Sequence, residues 1–516
     1  FIWNEEEECG HQWGIRGACR CWLYHALRGL EHDLKEKLNL KLIVRKCDSS
    51  KNESTLNMLS KIIKETQAEA LFYCRSYEPW LMERDELIKK VISSTFISMG
   101  NRKHNQMIKK KINNLNRSVL YEITEVHPDK EPGALSHGFG SVGFYLRGCI
   151  KFGEPRRPLP IPTAAVKEEE DKIQTQWHYP IFSDGIDSLN LVQQPIRIYR
   201  RVHRRDNGTG EKVNWTFGIE EAWGFTEEDA HVALEKFLSG GIYKFEGRDR
   251  HRADQSNTAV ISPYIRFGQL SPNTVYHAAK KRRGAHRCKA FLRRLAWREL
   301  AYWMLFKFPQ LPDLSLRMQY EQQRWYNDDD GARVRAWKTG QTGFPLVDAG
   351  MRQLWVTGWM PNYMRHVVAG FLIEYLNLSW KIGADWFHET LVDADVAINS
   401  HMWQNGGHSG VDQWNFVMHP VYAAKSCDPE AKYTRKWVPE IRKLPDEFVH
   451  CPWDAPPSVR AQASDFRIGR DYPHRIVKNL RAARVDSLRA VIEVRKSDDG
   501  RRCILPCGNE GLLLQV

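Results

Sequence analysis

The sequence predicts an α/β domain with a parallel, Rossmann-like sheet, followed by a second domain that is entirely helical. Two observations lead to this fold class. Helix-like and strand-like segments alternate over the first hundred residues, as they do in sheets whose parallel strands are joined by helices. After about residue 215 the helical repeat of apolar residues dominates to about residue 450, with few strand signals. We therefore expect two domains of different architecture in one chain.

The alternation near the N-terminus rests on four segments. Residues 18–34 repeat apolar side chains with helical spacing, and residues 41–47 form a short β-branched run. Residues 54–66 are again amphipathic, whereas residues 68–77 return to a strand-like composition. Together these segments predict an α/β domain over residues 1–126.

The rest of the chain divides by composition. Residues 127–214 are rich in Pro, Gly and charge, which predicts an interdomain connection that runs over the surface. Residues 215–485 predict the helical domain, and residues 486–516 a basic C-terminal tail after one closing helix. The first residue is Phe1 rather than Met, so we expect further sequence upstream, including a first strand of the sheet.

Composition narrows the class of protein. A chain of 516 residues with 42% hydrophobic and 11% aromatic residues is typical of a folded globular protein. We find no run of eighteen apolar residues and no leader with a cleavage site, so we expect a soluble intracellular protein that does not enter a membrane. The eleven cysteines lack zinc-type spacing, which predicts reduced thiols and no metal site. The net charge of +13 favours a polyanion such as DNA as a partner.

Three segments of the helical domain place polar residues where a core is expected. Thr258 and Ser262 precede a helical run, where backbone N–H groups and the helix dipole favour an anion, although a plain helix cap explains the same residues. Asn362 shares a helical face with a histidine four residues later. Asp393 and Asp395 bracket a single residue. Two carboxylates so close together are costly unless hydrogen-bond donors lie between them.

With these segments in order, the chain resembles the cryptochrome and DNA photolyase family. The most specific motifs are TAVISPYIRFGQLS, WREL, TGFPLVDAGMRQLWVTGWMPN, LVDADVAIN and YTRKWVPEIRKLP. The resemblance covers about residues 1–485, and the connector motif FYLRGCIKFGEPRRPLPIP is similar to plant-type members. It implies an α/β domain that holds an antenna pigment, a folate or a deazaflavin, and a helical domain that binds FAD. The segment 101–118 departs from the pattern expected for antenna binding.

The resemblance also implies which residues contact FAD. Carried over position by position, they are Tyr243, Thr258, Ala259, Val260, Ile261, Ser262, Arg298, Asn362, Arg365, Asp393, Ala394, Asp395 and Asn399. In this set Asp393 also faces Arg365, and Asn399 lies beside flavin N5. An amide cannot supply a proton as a carboxylic acid can, so Asn399 is expected to disfavour proton transfer to the flavin.

Three tryptophans match the family's electron relay. Trp403 is expected nearest the flavin, Trp380 in the middle and Trp325 at the surface. The alternative for any one of the nineteen tryptophans is core packing.

The residues that would recognise a DNA lesion match the family only in part. In members that split cyclobutane dimers, a Glu and two tryptophans hold the lesion; here Arg294 stands at the Glu position, and Trp297 and Asn405 at the two tryptophan positions. The six-four type carries two histidines, where this chain has Asn362 and His366. We therefore predict a blue-light photoreceptor with signalling proteins as partners. The alternatives are a DNA photolyase that repairs UV-induced pyrimidine dimers and a light-insensitive flavoprotein that binds nucleic acid.

Overall fold

The computed structural model describes residues 1–51, 53–66, 68, 71–99, 112–115, 119–123, 141–159, 182–192, 214–247, 249–255, 257–283, 287–411 and 417–497. Its strands are Ile2–Trp3 (β1), Arg45–Lys46 (β2), Leu71–Cys74 (β3) and Ile112–Leu115 (β4). The helices before residue 200 are Glu5–Cys9 (α1), Gly17–Leu38 (α2), Thr55–Thr66 (α3), Pro79–Met99 (α4) and Val142–Lys151 (α5).

The helices that follow are Phe217–Ala222 (α6), Glu227–Lys236 (α7), Ile242–Glu246 (α8), Ser262–Arg266 (α9), Pro272–Arg283 (α10), Lys289–Lys307 (α11), Ala332–Thr339 (α12), Pro345–Thr357 (α13), Asn362–Gly370 (α14), Trp380–Thr390 (α15), Val396–Gly406 (α16), Ala424–Cys427 (α17), Lys432–Trp437 (α18), Asp446–Val449 (α19), Pro457–Gln462 (α20) and Leu480–Ser497 (α21). Two π-helical turns, Phe237–Gly241 and Phe371–Tyr375, extend α7 and α14.

The fold class is confirmed, with a smaller sheet than the alternation suggested. Strand β1 pairs with β2 in parallel, with Ile2 opposite Arg45, and β3 pairs with β4 in parallel, with Leu71 opposite Ile112. The described strands form two separate two-stranded sheets. Only Arg45–Lys46 of the β-branched run 41–47 pair as a strand, because β1 offers two residues opposite them.

Both helices predicted between these strands are present, as α2 and α3. The described residues from 214 to 497 form helices and turns, as the helical repeat predicted, and no strand is assigned among them. The largest group of buried side chains lies here and includes residues of α11, α13, α14, α15 and α16. Helices α11, α14 and α16 line the cleft described below, and α15 reaches its inner cavity through Phe387.

Part of the stretch that was predicted as a surface connection, 127–214, is packed into the protein. Helix α5 lies within it and buries Val142, Tyr145 and Cys149 in the main core. Their spacing of three and four residues gives this short helix one apolar face, so it packs against the core rather than running over the surface.

The C-terminal helix α21 continues past residue 486, where the sequence predicted that the tail begins. The Arg484 guanidinium lies 2.8 Å from a carboxylate oxygen of Glu374, and the Ser487 hydroxyl donates to the same carboxylate at 2.9 Å. Residues 486–497 therefore form the second half of a docked helix, and the remainder of the predicted tail, 498–516, lies outside the described residues.

Several predicted features fall partly outside the described residues. Of the segment 101–118 that bears on antenna binding, only residues 112–115 are described, as β4; residues 160–181 and 193–213 of the predicted connection are also outside. Among the residues that are described, none of the helices has the length and apolar character needed to cross a bilayer.

Asp348 anchors the start of α13, the helix that leads into the cleft. Its buried carboxylate accepts hydrogen bonds from the backbone N–H of Thr342 at 2.8 Å, the Thr342 hydroxyl at 2.6 Å and the backbone N–H of Gly343 at 3.1 Å. The hydroxyl of Tyr472, far along the chain, donates to its other side. One carboxylate thus joins α13, the turn before it and the C-terminal region.

Replacing Asp348 by alanine is expected to destabilise the protein by at least about 2 kcal/mol, because it leaves buried donors of Thr342, Gly343 and Tyr472 without their acceptor. Urea unfolding of the full chain, followed by circular dichroism, measures the change. The control is Asp486→Ala, which removes an exposed ion pair with Arg489 and should leave the urea midpoint nearly unchanged. Equal midpoints for the two variants would contradict the anchoring role.

Candidate functional site

A large cleft opens between the helices of the second region. The cleft has a volume of about 1290 Å³, including its open mouth, and adjoins a smaller cavity of about 570 Å³. The residues that line both spaces are Asn362, Arg365, Asp393, Asp395, Ile398 and Met402. Because the two spaces share these walls, they form one continuous site.

Asp395 starts helix α16 at the floor of the cleft. Its carboxylate accepts from the backbone N–H of Ile398 at 3.1 Å, which caps the helix N-terminus. Its second oxygen accepts from the Tyr302 hydroxyl of α11 at 2.5 Å. The carboxylate of Asp395 therefore fixes α16 against α11 and faces the cleft with both oxygens already engaged.

Asp393 lies two residues earlier and contacts two other elements of the site through Ser262 and Arg365. One carboxylate oxygen, Oδ2, accepts from the Ser262 hydroxyl at 2.6 Å and from Arg365 Nη2 at 2.8 Å. The Asp393 side chain is only 5% exposed, whereas that of Arg365 is 25% exposed, so the carboxylate is the more shielded partner of the ion pair. The other oxygen, Oδ1, is buried and has no hydrogen-bond partner among the described residues. Three elements, α9, α14 and the turn before α16, meet at this one side chain.

The loop of residues 258–262, predicted to hold phosphates, lines one wall of the cleft. Val260 in this loop has a φ of +48°, a left-handed conformation that a β-branched residue rarely adopts. Such a conformation costs on the order of 1–3 kcal/mol and persists where the surroundings hold it in place. The next residue, Ile261, has a negative φ of −115°. Successive residues with φ of opposite sign can direct their backbone N–H groups towards the same anion.

Arg298 lies along the opposite wall on α11. Its guanidinium donates to Glu299 at 3.0 Å and stacks over the ring of Tyr302, 4.5 Å from the ring centre. Burial raises the pKa of Glu299 to about 7, and its other oxygen accepts from the backbone N–H of Leu120 at 2.7 Å. These contacts hold the guanidinium in place before any ligand arrives.

Two histidines and a tryptophan lie at the site: His401 and Trp297 line the cleft, and His366 lines the inner cavity. Burial, helped by the charge of Arg294, lowers the pKa of His366 to about 3, and burial alone lowers that of His401 to about 4. Both imidazoles are therefore neutral at physiological pH. The ring of Trp297 lies 5.7 Å from that of His401 and forms an apolar platform at the cleft.

Of the predicted FAD contacts, twelve line the cleft or the cavity, and Tyr243 does not. Tyr243 is 48% exposed on the short helix α8, and Phe245 lines the cleft in its place. The two residues are two positions apart, which turns them to different sides of a helix. The structure therefore places Phe245, rather than Tyr243, at the wall of the cleft.

Of the residues predicted to contact DNA, four line the cleft or the cavity and Asn405 lies outside both. Arg294, Trp297, Asn362 and His366 line the cleft or the cavity. Asn405 is 1% exposed near the C-terminal end of α16 and lines neither space. It turns away from the cleft and packs closely against the backbone after the helix.

Asn399 faces the inner cavity from α16. Its side-chain amide donates to the backbone carbonyl of Ala384 at 2.9 Å, which fixes the orientation of the group. The polar atom left for the cavity is its carbonyl oxygen, a hydrogen-bond acceptor with no proton to give.

The predicted relay tryptophans lie on two packed helices. The ring of Trp403 on α16 lies against Gly383 of α15, where an added Cβ would come within 2.1 Å of it. In the same way the ring of Trp380 on α15 lies against Gly407, where an added Cβ would come within 2.5 Å of the ring. Trp403 lines the inner cavity, Trp380 is buried, and Trp325 is only partly buried.

The sequence reasoning missed several residues that line the cleft. They are Phe245, Ile265, Arg266, Phe291, Leu295, Ala301, Trp359, Met360, Ile398, His401 and Met402. A signal for two of them exists, because Ile398 and Met402 are four residues apart on the helix that Asp395 caps. Most of the others are apolar and cannot be told from core residues by sequence.

The polar atoms of the site fit a ligand with both donors and acceptors. Besides Asp393 Oδ1, the side-chain nitrogen of Asn362 is buried and has no hydrogen-bond partner among the described residues. Buried polar groups are normally paired, so an acceptor and a donor that both face empty space call for a partner. The hydroxyl, ring N–H and carbonyl groups of FAD supply such partners, and its diphosphate suits the loop at Val260.

Comparison with known proteins agrees with this geometry. The model of the FAD binding domain of DNA photolyase matches residues 291–491, and that of the DNA photolyase domain matches residues 1–112. Cryptochrome-1 of Arabidopsis thaliana is 27% identical over 99% of this chain and 68% of its own length. The deoxyribodipyrimidine photo-lyase of Agrobacterium fabrum is 28% identical over 94% of this chain and 90% of its own length.

A crystal structure of a bacterial class III photolyase from Agrobacterium tumefaciens has a similar fold. Its TM-score is 0.74 at 26% identity, and the match covers 96% of this chain and 91% of that one. The two family models together match both the α/β region and the helical region in the expected order. The chain therefore belongs to the cryptochrome and DNA photolyase family and carries its FAD-binding domain.

Proposed function

We propose that this protein is a blue-light photoreceptor in which bound FAD is reduced through Trp403, Trp380 and Trp325. FAD supplies the absorption of blue light and the capacity to accept single electrons. The observation that carries the proposal is the close packing of the first two tryptophans, since the Trp403 ring lies against Gly383 of α15 and the Trp380 ring against Gly407, which directly follows α16.

The cleft residues would hold the cofactor by complementary hydrogen bonds. The loop 258–262 would bind the diphosphate through backbone N–H groups, and Asp393 would accept from a hydroxyl or a ring N–H through its free oxygen. Arg365 would orient the Asp393 carboxylate through an ion pair of 2.8 Å. The apolar residues Ile398 and Met402 would exclude water from the inner cavity, where charges interact more strongly.

The tryptophans would conduct an electron from the surface to the cavity. Because residues 383 and 407 are glycines, the rings of Trp403 and Trp380 approach the backbone of the neighbouring element closely. The backbone N–H of Tyr326, next to Trp325, donates to the carbonyl of Asn377 at 2.7 Å, which supports a position of the third tryptophan near the turn that leads to α15. Asn399, with no proton to give, would leave the reduced site unprotonated by its own side chain.

A receptor also needs a route from the cavity to a surface that a partner can contact. Helix α16 carries Trp403 and is followed by His408, whose Nε2 lies 3.4 Å from a carboxylate oxygen of Glu374. Glu374 in turn contacts Arg484 and Ser487 of α21. A shift of α16 on photoreduction would thus bear directly on the C-terminal helix, which supports signalling as the output.

A DNA photolyase is the second candidate, supported by the outer cleft. Arg294 and Trp297 line it, and the Arg250 guanidinium lies 3.4 Å from the Tyr363 hydroxyl close by. A cation and an aromatic face suit a phosphate and an unstacked base. Against repair of cyclobutane dimers stand Arg294 in place of a carboxylate and the position of Asn405 outside the cleft.

Replacing Trp403 by phenylalanine is expected to leave FAD bound and to slow its photoreduction by on the order of tenfold or more, because Phe is much harder to oxidise. Absorbance of the purified protein under blue light with an external reductant measures the rate. The control is Trp355→Phe, since Trp355 stacks on Trp386, 5.9 Å away, and is not part of the relay. Equal rates for wild type and Trp403→Phe would refute the relay.

A lesion-repair assay on the FAD-loaded protein distinguishes a DNA photolyase from a photoreceptor. The reduced protein is mixed with an oligonucleotide that contains a thymine dimer, lit with blue light, and the remaining dimers are counted against a dark control. Unchanged dimer counts, together with normal photoreduction, are the expected result. Light-dependent loss of dimers would overturn the receptor assignment in favour of the photolyase.

A further inference from the structure

Three potential metal ligands meet between helices α2 and α6, and none of them lines the cleft. Cys21 and His25 are one turn apart on α2, and Glu220 lies on α6. One ligand atom from each residue lies within 4.8 Å of the other two, and His25 Nε2 is 3.4 Å from a carboxylate oxygen of Glu220. Among the described residues, no other group of three such side chains comes as close together.

The ligand types select the metal. A thiolate, an imidazole and a carboxylate form a mixed set that suits Zn²⁺ better than Mg²⁺ or Ca²⁺, which prefer oxygen ligands alone. Tetrahedral Zn²⁺ with bonds of about 2.0–2.3 Å places neighbouring ligand atoms roughly 3.3–3.7 Å apart. The His25 and Glu220 side chains are 27% and 35% exposed, so small side-chain rotations can close the remaining gap to Cys21.

Two further contacts orient these ligands. The Thr216 hydroxyl, almost fully buried, donates to the Glu220 oxygen that faces His25, at 2.7 Å. The imidazole of His25 stacks on the ring of Phe225, with 4.4 Å between ring centres and an angle of 24°. Outer contacts of this kind fix ligand geometry in metal sites and contribute to affinity.

We propose that Cys21, His25 and Glu220 bind Zn²⁺, with a water molecule in the fourth position. The Cys21 thiol loses its proton to solvent as the sulfur–zinc bond forms. His25 binds through Nε2 and keeps its proton on Nδ1, so the ion enters the space between that nitrogen and the Glu220 carboxylate. The two negative ligands balance the charge of the ion, so the site as a whole is neutral and costs little to bury partly.

Such an ion would join segments that are far apart in the chain. It would connect α2 of the N-terminal region with α6, almost two hundred residues later, and stabilise the folded state by binding it selectively. The relay tryptophans and the cleft are not involved, so flavin photoreduction would persist without the metal. Failure of this proposal and failure of the proposed function are therefore distinguishable.

The test uses the full chain with bound FAD, freed of metals by a chelator and then dialysed. It is titrated with Zn²⁺ in competition with a chromophoric zinc indicator, and separately with Co²⁺, whose tetrahedral absorption lies at longer wavelength than that of the flavin. We expect one equivalent of Zn²⁺ to bind, the midpoint of thermal unfolding to rise, and Co²⁺ to give the spectrum of a thiolate-bound tetrahedral ion.

The variants His25→Gln and Glu220→Gln are expected to lower the Zn²⁺ affinity by at least about tenfold. Cys21→Ser should remove the cobalt–thiolate band; because Cys21 is buried, the two part-exposed variants keep the test decisive if that variant fails to fold. The matched controls are His32→Gln on the exposed face of α2 and Cys74→Ser, an exposed free cysteine. Absence of stoichiometric binding, or loss of binding in the controls rather than in the three variants, would overturn the proposal.

Discussion

The site depends on a single carboxylate. One oxygen of Asp393 accepts hydrogen bonds from the Ser262 hydroxyl and the Arg365 guanidinium. The other oxygen is buried and has no partner among the described residues, so it can accept from a ligand. An isolated buried carboxylate would be strongly disfavoured, so the ion pair with Arg365 makes its burial possible. The same carboxylate oxygen connects α9, through Ser262, with α14, through Arg365. Binding and local architecture therefore share one interaction.

The neighbouring Asp395 has a different role, although the sequence suggested one shared environment for both acids. Its carboxylate caps α16 and accepts from Tyr302, so it places the helix that carries Asn399 and Trp403. The position of the cavity wall and the spacing of the tryptophans both follow from where that helix begins. One acid thus organises the ligand contacts and the other organises the electron path.

Much of this was predictable from the sequence, and the exceptions have physical causes. The polar cleft residues were identified because specific motifs carry them, and the helices because their apolar repeat is strong. Tyr243 lies outside the cleft whereas Phe245 lines it, because a shift of two positions on a helix turns a side chain to another side. The Cys21, His25 and Glu220 group was overlooked because its third member lies almost two hundred residues away, beyond any local spacing rule.

The FAD content of Asp393→Asn is the most direct measurement of the role given to this carboxylate. The variant keeps the size of the side chain but removes the charge that Arg365 neutralises. After purification, the flavin-to-protein ratio should fall well below that of the wild type while circular dichroism reports the same helix content. Asp330→Asn, on the exposed turn before α12, should retain full FAD. A folded Asp393→Asn protein with an unchanged flavin ratio would contradict the account.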